Sequence, residues 1–262
     1  RSDDYGNGGI GYKGQDFFSF GVWEMFECFW SRCGAQDSRI VLEGDGILDS
    51  NGRLHLDLPT DQEAKPGVSY LYTLSVEIQN KDGEFVTGRD SVIVHQANTY
   101  VGLGIKNYIV QPKESALVKV ITVSTDGAIA PGKHVTLELS REEWSTVKKQ
   151  GVDGAFYDES VRILTLINKK TVTTGAEPVE ASFDINEGME GGRYVIQGKS
   201  MDSGRETLSE TNFYVSSESW VEWGATNNNR MNLVADKPEY FVGGKARVLI
   251  QSPFGSKENP AK

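Results

Sequence analysis

The residues Tyr70, Tyr72, Leu74, Val76 and Ile78 occupy every second position of one stretch, and apolar side chains at that period can share a face only in an extended strand. The same alternation returns at Leu54, Leu56 and Leu58, at Val118, Val120 and Thr122, at Val135, Leu137 and Leu139, and at Val248 with Ile250. Each run is bounded by Gly, Pro or Asp-Gly punctuation. No helical period of useful length competes, although EEWSTVKK, Glu142 to Lys149, has room for one or two helical turns. Tight turns are predicted at Asp49 to Gly52, Asn80 to Gly83 and Ser124 to Gly127, where glycine supplies the positive φ that such turns require. The expected fold class is all-β, a tandem array of antiparallel β-sandwiches.

A chain of 262 residues exceeds the usual single core, so two or more compact units are expected. Its formal charge of -10 repels phosphate backbones and disfavours nucleic acid as a partner. No apolar run reaches the roughly 18 to 20 residues of a membrane span. The opening RSDDYGNGGIG lacks the basic-then-apolar order of a signal peptide, so any targeting sequence is expected to have been removed or to lie outside this segment.

The chain also resembles itself. YTLSVEIQNKDGEFVTGRDSVIVHQ, from Tyr72, aligns with YVIQGKSMDSGRETLSETNFYVSS, from Tyr194, so that Gly83 meets Gly204 and Val94 meets Val215. Upstream, LHLDL at Leu54 to Leu58 answers ASFDI at Ala181 to Ile185. The expected organisation is a sandwich over 1–97 that is incomplete at its N-terminal side and a second sandwich over 98–217. A connector over 218–228 and the opening strands of a third, truncated domain over 229–262 complete it. In this scheme Trp220 and Trp223 fall at a seam.

Groups for catalysis or metal binding are sparse. His55 lies on the face opposite Leu54, Leu56 and Leu58, and His95 and His134 are isolated from Cys or further His at ligand spacing. Glu43, Asp45, Asp49 and Asn51 offer oxygen atoms for calcium, but their spacing is that of a turn and not of the helix-flanked calcium loop. GNGGIG at Gly6 to Gly11 resembles a phosphate loop without a strand before it or a helix after it. Cys28 and Cys33 fit either a bridge across a sharp turn or two independent thiols. The aromatic run Phe17, Phe18, Phe20, Trp23, Phe26, Phe29 and Trp30 is expected to pack in a core or a domain seam; the alternative is a carbohydrate-stacking platform. No catalytic, cofactor-binding or metal-binding residue and no cofactor is assigned.

The segment LVADKPEYFVGGKARVLIQSPF, Leu233 to Phe254, resembles the opening of a domain in the bacterial alpha-2-macroglobulin family: a strand, Asp-Lys, an aromatic residue, a glycine turn and a strand closing in Gln-Ser-Pro-Phe. EGDGILDSNGRLHLDL, GRDSVIVHQANTYVGL, PGKHVTLELSREEW and VTTGAEP occur upstream in the order that the resemblance implies. The family implies a large protease trap in which a protease cuts a bait segment, the sandwich array rearranges around it, and in many members a thioester captures it. It also implies a periplasmic lipoprotein, so that any contact with a membrane runs through a lipid anchor outside this segment. Trapped proteases are the implied partners, with a cell-wall synthase a further one. This segment is then scaffold from the N-terminal half, with bait and thioester beyond Lys262. Cys33-Gly34-Ala35-Gln36 differs by one residue from the family's Cys-Gly-Glu-Gln thioester sequence, but it follows an aromatic strand and is expected to be a polar loop. The alternative to the trap is a surface array for adhesion or carbohydrate binding.

Overall fold

The computed structural model describes residues 18–21, 40–58, 60, 69–95, 97–150, 154, 156–216, 232–237 and 239–251. Among them are strands and no helix. In chain order they are β1 (Ser19–Phe20), β2 (Tyr70–Gln79), β3 (Phe85–Val94), β4 (Thr99–Ile105), β5 (Ile109–Val110), β6 (Ser115–Ser124), β7 (His134–Gln150), β8 (Phe156–Thr173), β9 (Val179–Asp184), β10 (Gly192–Asp202), β11 (Arg205–Val215), β12 (Asn232–Ala235) and β13 (Val248–Gln251).

Two sheets face each other, built from strands between Thr99 and Val215 with Ser19–Phe20 added at one edge. One has the order β1-β4-β6-β9 and the other β5-β11-β10-β7-β8; their pairings are antiparallel except for the short parallel match of β5 to β11. The alternation explains the layers. Val118 and Val120 of β6 and Val135, Leu137 and Leu139 of β7 are buried in one core with Val101, Leu103, Phe183, Tyr194, Ile196 and Phe213. Gly198 lets the two sheets approach closely: a Cβ there would lie 3.0 Å from Leu103 Cδ2 and 3.1 Å from Val101 Cγ1. The sheets are also tied by polar contacts. Ser209 donates its hydroxyl to the Val101 carbonyl at 2.6 Å and accepts the Gly21 amide at 2.8 Å.

Two expectations change. EEWSTVKK is strand and not helix: it belongs to β7, where Glu143 to Lys149 pair with Ile163 to Tyr157 of β8. Trp144 and Val147 are β-favouring, and pairing with β8 satisfies the backbone that a single helical turn would leave half unbonded. LHLDL, conversely, forms no strand, and Leu54, Leu56 and Leu58 are exposed. The turn ahead of it does form, with the Gly52 amide donating to the Asp49 carbonyl at 3.0 Å. Alternation prepares a face, but a strand also needs a neighbour for its backbone groups.

The internal repeat is a repeat of hairpins. Tyr72 pairs with Val92 in β2–β3, and Tyr194 pairs with Phe213 in β10–β11; Tyr70 with Val94 corresponds in the same way to Gly192 with Val215. The registers coincide along both hairpins, and the single-residue difference between them falls in the turn. Between Gln79 and Phe85 the chain makes an Asn80-centred turn whose Asn80 Oδ1 accepts the Asp82 and Glu84 amides at 2.8 and 2.9 Å. The shorter turn has φ of 52° at Ser203 and 79° at Gly204, the doubly positive form that suits a two-residue hairpin loop.

Candidate functional site

Along β7 the charged and polar residues Glu138, Ser140 and Glu142 are out of phase with the core residues Val135, Leu137 and Leu139, so they point away from the core. On that outer face Glu142 is nevertheless buried, its side chain fully covered. A buried carboxylate needs partners. Glu142 accepts the Trp144 indole N–H at 2.8 Å, Arg193 Nη1 at 2.5 Å, and Arg162 Nη2 and Nε at 2.9 and 3.1 Å. Arg162 then reaches across the sheet from β8 to Glu210 on β11, which its Nη2 meets at 3.0 Å and which Gln197 Nε2 meets at 2.5 Å.

One guanidinium thus joins the two outer strands of the β8-β7-β10-β11 set over a width of roughly three inter-strand spacings, each about 4.8 Å. The planar fork suits this bridging because it presents several donors at fixed angles. Burial lowers the Arg162 pKa, but the hydrogen bonds and charges of Glu210 and Glu142 outweigh it and the net shift is upward. One step along the sheet, Glu138 holds Lys199 at 2.5 Å and Lys169 at 2.9 Å, again joining β10, β7 and β8. The hydrogen bonds from those two lysines, Lys199 first, hold its carboxyl below the usual range.

Two seams flank this sandwich. On the N-terminal side the Tyr100 hydroxyl of β4 lies 2.6 Å from Ser69 Oγ and 2.7 Å from His95 Nδ1, at the two ends of the β2–β3 hairpin. On the C-terminal side the Tyr108 amide donates to the Asp236 carbonyl at 3.1 Å, while the Tyr108 carbonyl accepts the Tyr214 amide at 2.8 Å. The Asp236 side chain in turn accepts the Tyr240 hydroxyl and, from Arg247, the amide at 3.1 Å and Nε at 3.2 Å. That carboxylate therefore closes the turn between β12 and β13.

The Tyr240 hydrogen bond is the largest influence on Asp236; burial opposes it, the Arg247 donors add to it, and the pKa falls to about 2. A depressed carboxylate pKa contributes stability at pH above its ordinary value of 3.8, which is lost as pH falls through about 2. The amides of Asp236 and Arg247 are expected to stay protected from exchange at pH 5 and to lose protection as pH falls below about 4. Asp236→Asn is expected to remove that pH step. Persistence of the step in the variant would show that another group controls the turn.

These contacts place the residues singled out in the sequence. His95 is part of the Tyr100 seam, His134 Nδ1 lies 3.0 Å from Thr173 Oγ1, and His55 forms an exposed pair with Asp57. Asp49 Oδ1 accepts the Asn51 and Arg53 amides, both at 2.8 Å, which makes it a turn cap. Phe18 is buried, and the Phe20 ring lies where a Cβ on Gly102 would be 2.7 Å from Phe20 Cε1, so these two aromatics pack against the sandwich. Phe17, Trp23, Phe26, Phe29, Trp30, Trp220 and Trp223, the Gly6 to Gly11 loop, Cys28 and Cys33-Gly34-Ala35-Gln36 lie outside the described residues.

Sequence reasoning missed the network of Glu142, Arg162, Arg193 and Glu210. Their meeting depends on a register that brings together residues up to 51 positions apart in a single contact. Chemically the network is a set of ties. Glycoside hydrolysis needs one free carboxylate and one protonated partner, whereas Glu142 and Glu210 are both engaged by cationic and amide donors.

Residues 104–216 match the family described as Bacterial macroglobulin domain 6. An alpha-2-macroglobulin homolog of Nostoc is 24% identical over 253 residues, covering 94% of this chain. Over 104–216 the chain carries a macroglobulin domain of the bacterial type. A second relative, alpha-2-macroglobulin of Pasteurella multocida, is 21% identical over 210 residues and covers 79% of the chain. The chain spans 12% and 11% of the lengths of these two family members. The native conformation of E. coli alpha-2-macroglobulin shares the fold at a TM-score of 0.50 and 18% identity, over 94% of this chain and 16% of that one.

Proposed function

We propose that the chain is a scaffold segment of a bacterial alpha-2-macroglobulin-like protease trap. The observation that carries this reading is the macroglobulin domain over 104–216, tied across its outer face and hydrogen-bonded at both ends to flanking hairpins. Such an element transmits position from one module to the next. Its carboxylates serve as ties and not as acid or base, which supports a mechanical role without catalysis. The relatives named above as alpha-2-macroglobulins support the trap as the activity of the whole polypeptide.

In this reading the chain divides into modules over 1–97, 98–217 and 229–262 joined by a connector over 218–228, and the bait and thioester lie elsewhere in the polypeptide. Its partners are proteases, and a cell-wall synthase beside which the trap works. The whole protein is extracytoplasmic, held in the periplasm by a lipid anchor outside this segment. The full-length polypeptide, incubated with trypsin, is expected to be cut at few positions and to co-elute with the protease on size exclusion. The 262-residue segment alone is expected neither to retain trypsin nor to hydrolyse peptides or glycans. Free trypsin beside a degraded polypeptide would overturn the trap, and turnover by the segment would overturn the scaffold role.

A further inference from the structure

A second repeat lies in the hairpins. β12–β13 reproduces β4–β6 at an offset of 130 residues: Ile105 pairs with Val118 as Ala235 pairs with Val248, and Gly102 pairs with Ile121 as Asn232 pairs with Gln251. The connecting loops agree as well. The Lys106 amide donates to the Leu117 carbonyl and the Glu114 amide to the Gln111 carbonyl; at the same offset, the Asp236 amide donates to Arg247 and the Gly244 amide to Phe241. The left-handed residue falls at the same place, with φ of 74° at Lys113 and 86° at Gly243. β12 is therefore the counterpart of β4 in the third module.

The two strands differ in one respect. β4 lies between β6 and β1, whereas β12 has β13 alone beside it among the described residues, so the edge that β1 covers on β4 is open on β12. Strands that enlarge this sheet join it on the other side, as β9 does beyond β6. They leave the edge as it is. Its row of backbone donors and acceptors is a template for one more strand.

The identity of that strand follows from β1. The offset of 127 that carries Leu54 to Ala181 also carries Phe29-Trp30 to Phe156-Tyr157 and Ser19-Phe20 to Thr146-Val147. β1 thus has the sequence position, in the first module, of the distal part of β7 in the second. That part is an arm. β10 accompanies β7 only as far as Glu142, and from Glu143 to Gln150 β7 has β8 alone as its neighbour among the described residues. At about 3.3 Å per residue the arm reaches roughly 26 Å. Its open edge is the one that β10 leaves, on the side of β10 and β11.

β12 is held on that same side. The Tyr108 amide donates to the Asp236 carbonyl, at the end of β12, while the Tyr108 carbonyl accepts the amide of Tyr214 near the end of β11. About three inter-strand spacings, roughly 15 Å, separate that tie from β7. The arm is long enough to cross them.

We propose that the arm of β7 latches antiparallel onto the open edge of β12, with Thr146 opposite Leu233 and Val147 opposite Asn232, as Ser19 and Phe20 lie opposite Leu103 and Gly102 of β4. Each of the first two modules then grips the first strand of the next by strand addition. The structure holds the first joint paired, and the second completes the same arrangement. The latch goes beyond the scaffold reading and is independent of trapping, since its test contains no protease.

The test uses the 262-residue segment with Cys28 and Cys33 replaced by serine and with Val147→Cys and Asn232→Cys introduced together. Oxidation in dilute solution is expected to link the two cysteines within one molecule, read as a linked peptide by mass spectrometry. Val161→Cys with Asn232→Cys is expected to remain unlinked, because β7 then stands between them and holds the Cα atoms roughly 9–10 Å apart, beyond disulfide reach. A variant without new cysteines provides a second measurement. Replacing 145–161 by Asn-Gly closes β7 onto β8 after the Trp144–Arg162 pair. Amide exchange in β12 is expected to quicken by at least about 10-fold in that variant while β10 keeps its protection. Absence of the Val147–Asn232 link, a link formed only between two molecules, or β12 exchange that ignores the arm each overturns the proposal.

Discussion

Replacing Glu142 with alanine is expected to destabilise the 262-residue segment by about 3–5 kcal/mol, because it leaves Arg162 and Arg193 without the buried carboxylate that both engage. The cost arises less from the lost attraction than from the uncompensated charge that remains. Glu142→Gln keeps the volume and an acceptor, and is expected to lose less. Replacing Glu142, Arg162 and Arg193 together with apolar residues of similar size is expected to cost less than Glu142→Ala alone. Urea unfolding measures the differences, read as a lower midpoint at unchanged slope. Glu177→Ala, at an exposed position, is the reference and is expected to shift stability by less than about 0.5 kcal/mol. If Glu142→Ala matches that reference, the network is ornament and the tie across the sheet contributes nothing.

A second large effect is expected at Phe213. Its ring is fully buried and stacks on Tyr194 with centroids 5.7 Å apart and planes at 22°. Phe213→Ala removes a large apolar surface and leaves a cavity between rigid sheets, at a cost of about 3–5 kcal/mol. Against a typical domain stability of about 5–15 kcal/mol, this variant is expected to be partly unfolded at room temperature. Calorimetry checks it. The repeat supplies an internal comparison: Val92→Ala, at the corresponding place in β3, is expected to change the stability of the segment by less than about 0.5 kcal/mol, because Val92 is exposed there. A large loss at Val92 in the segment would mean that the hairpin is already packed.

The residues that the sequence placed correctly are those whose neighbours are local. The turns at Gly52, Gly83 and Gly127 depend on a few consecutive residues and a positive φ, and all three form, with φ of 71°, 85° and 85°. Tyr70 to Ile78, Val118 to Thr122 and Val135 to Leu139 alternate and are strands. EEWSTVKK failed as a helix for the opposite reason. Its composition tolerates either state, and pairing with a strand that lies a turn further along the chain decides it. LHLDL is the mirror case, in which a clear pattern lacks a paired neighbour among the described residues.

Alternation, turn chemistry and self-similarity therefore determined the all-β class, the hairpins and the strand residues that face a core, since each is set by backbone geometry within a few positions. Tertiary structure alone decided which strands share a sheet, that Glu142, Arg162, Arg193 and Glu210 meet on its outer face, and that Tyr100 and Asp236 hold its two ends. Those contacts join residues far apart in the chain, and register, which shifts every side chain to the other face with a slip of one residue, is fixed by the packed whole and not by any stretch of it.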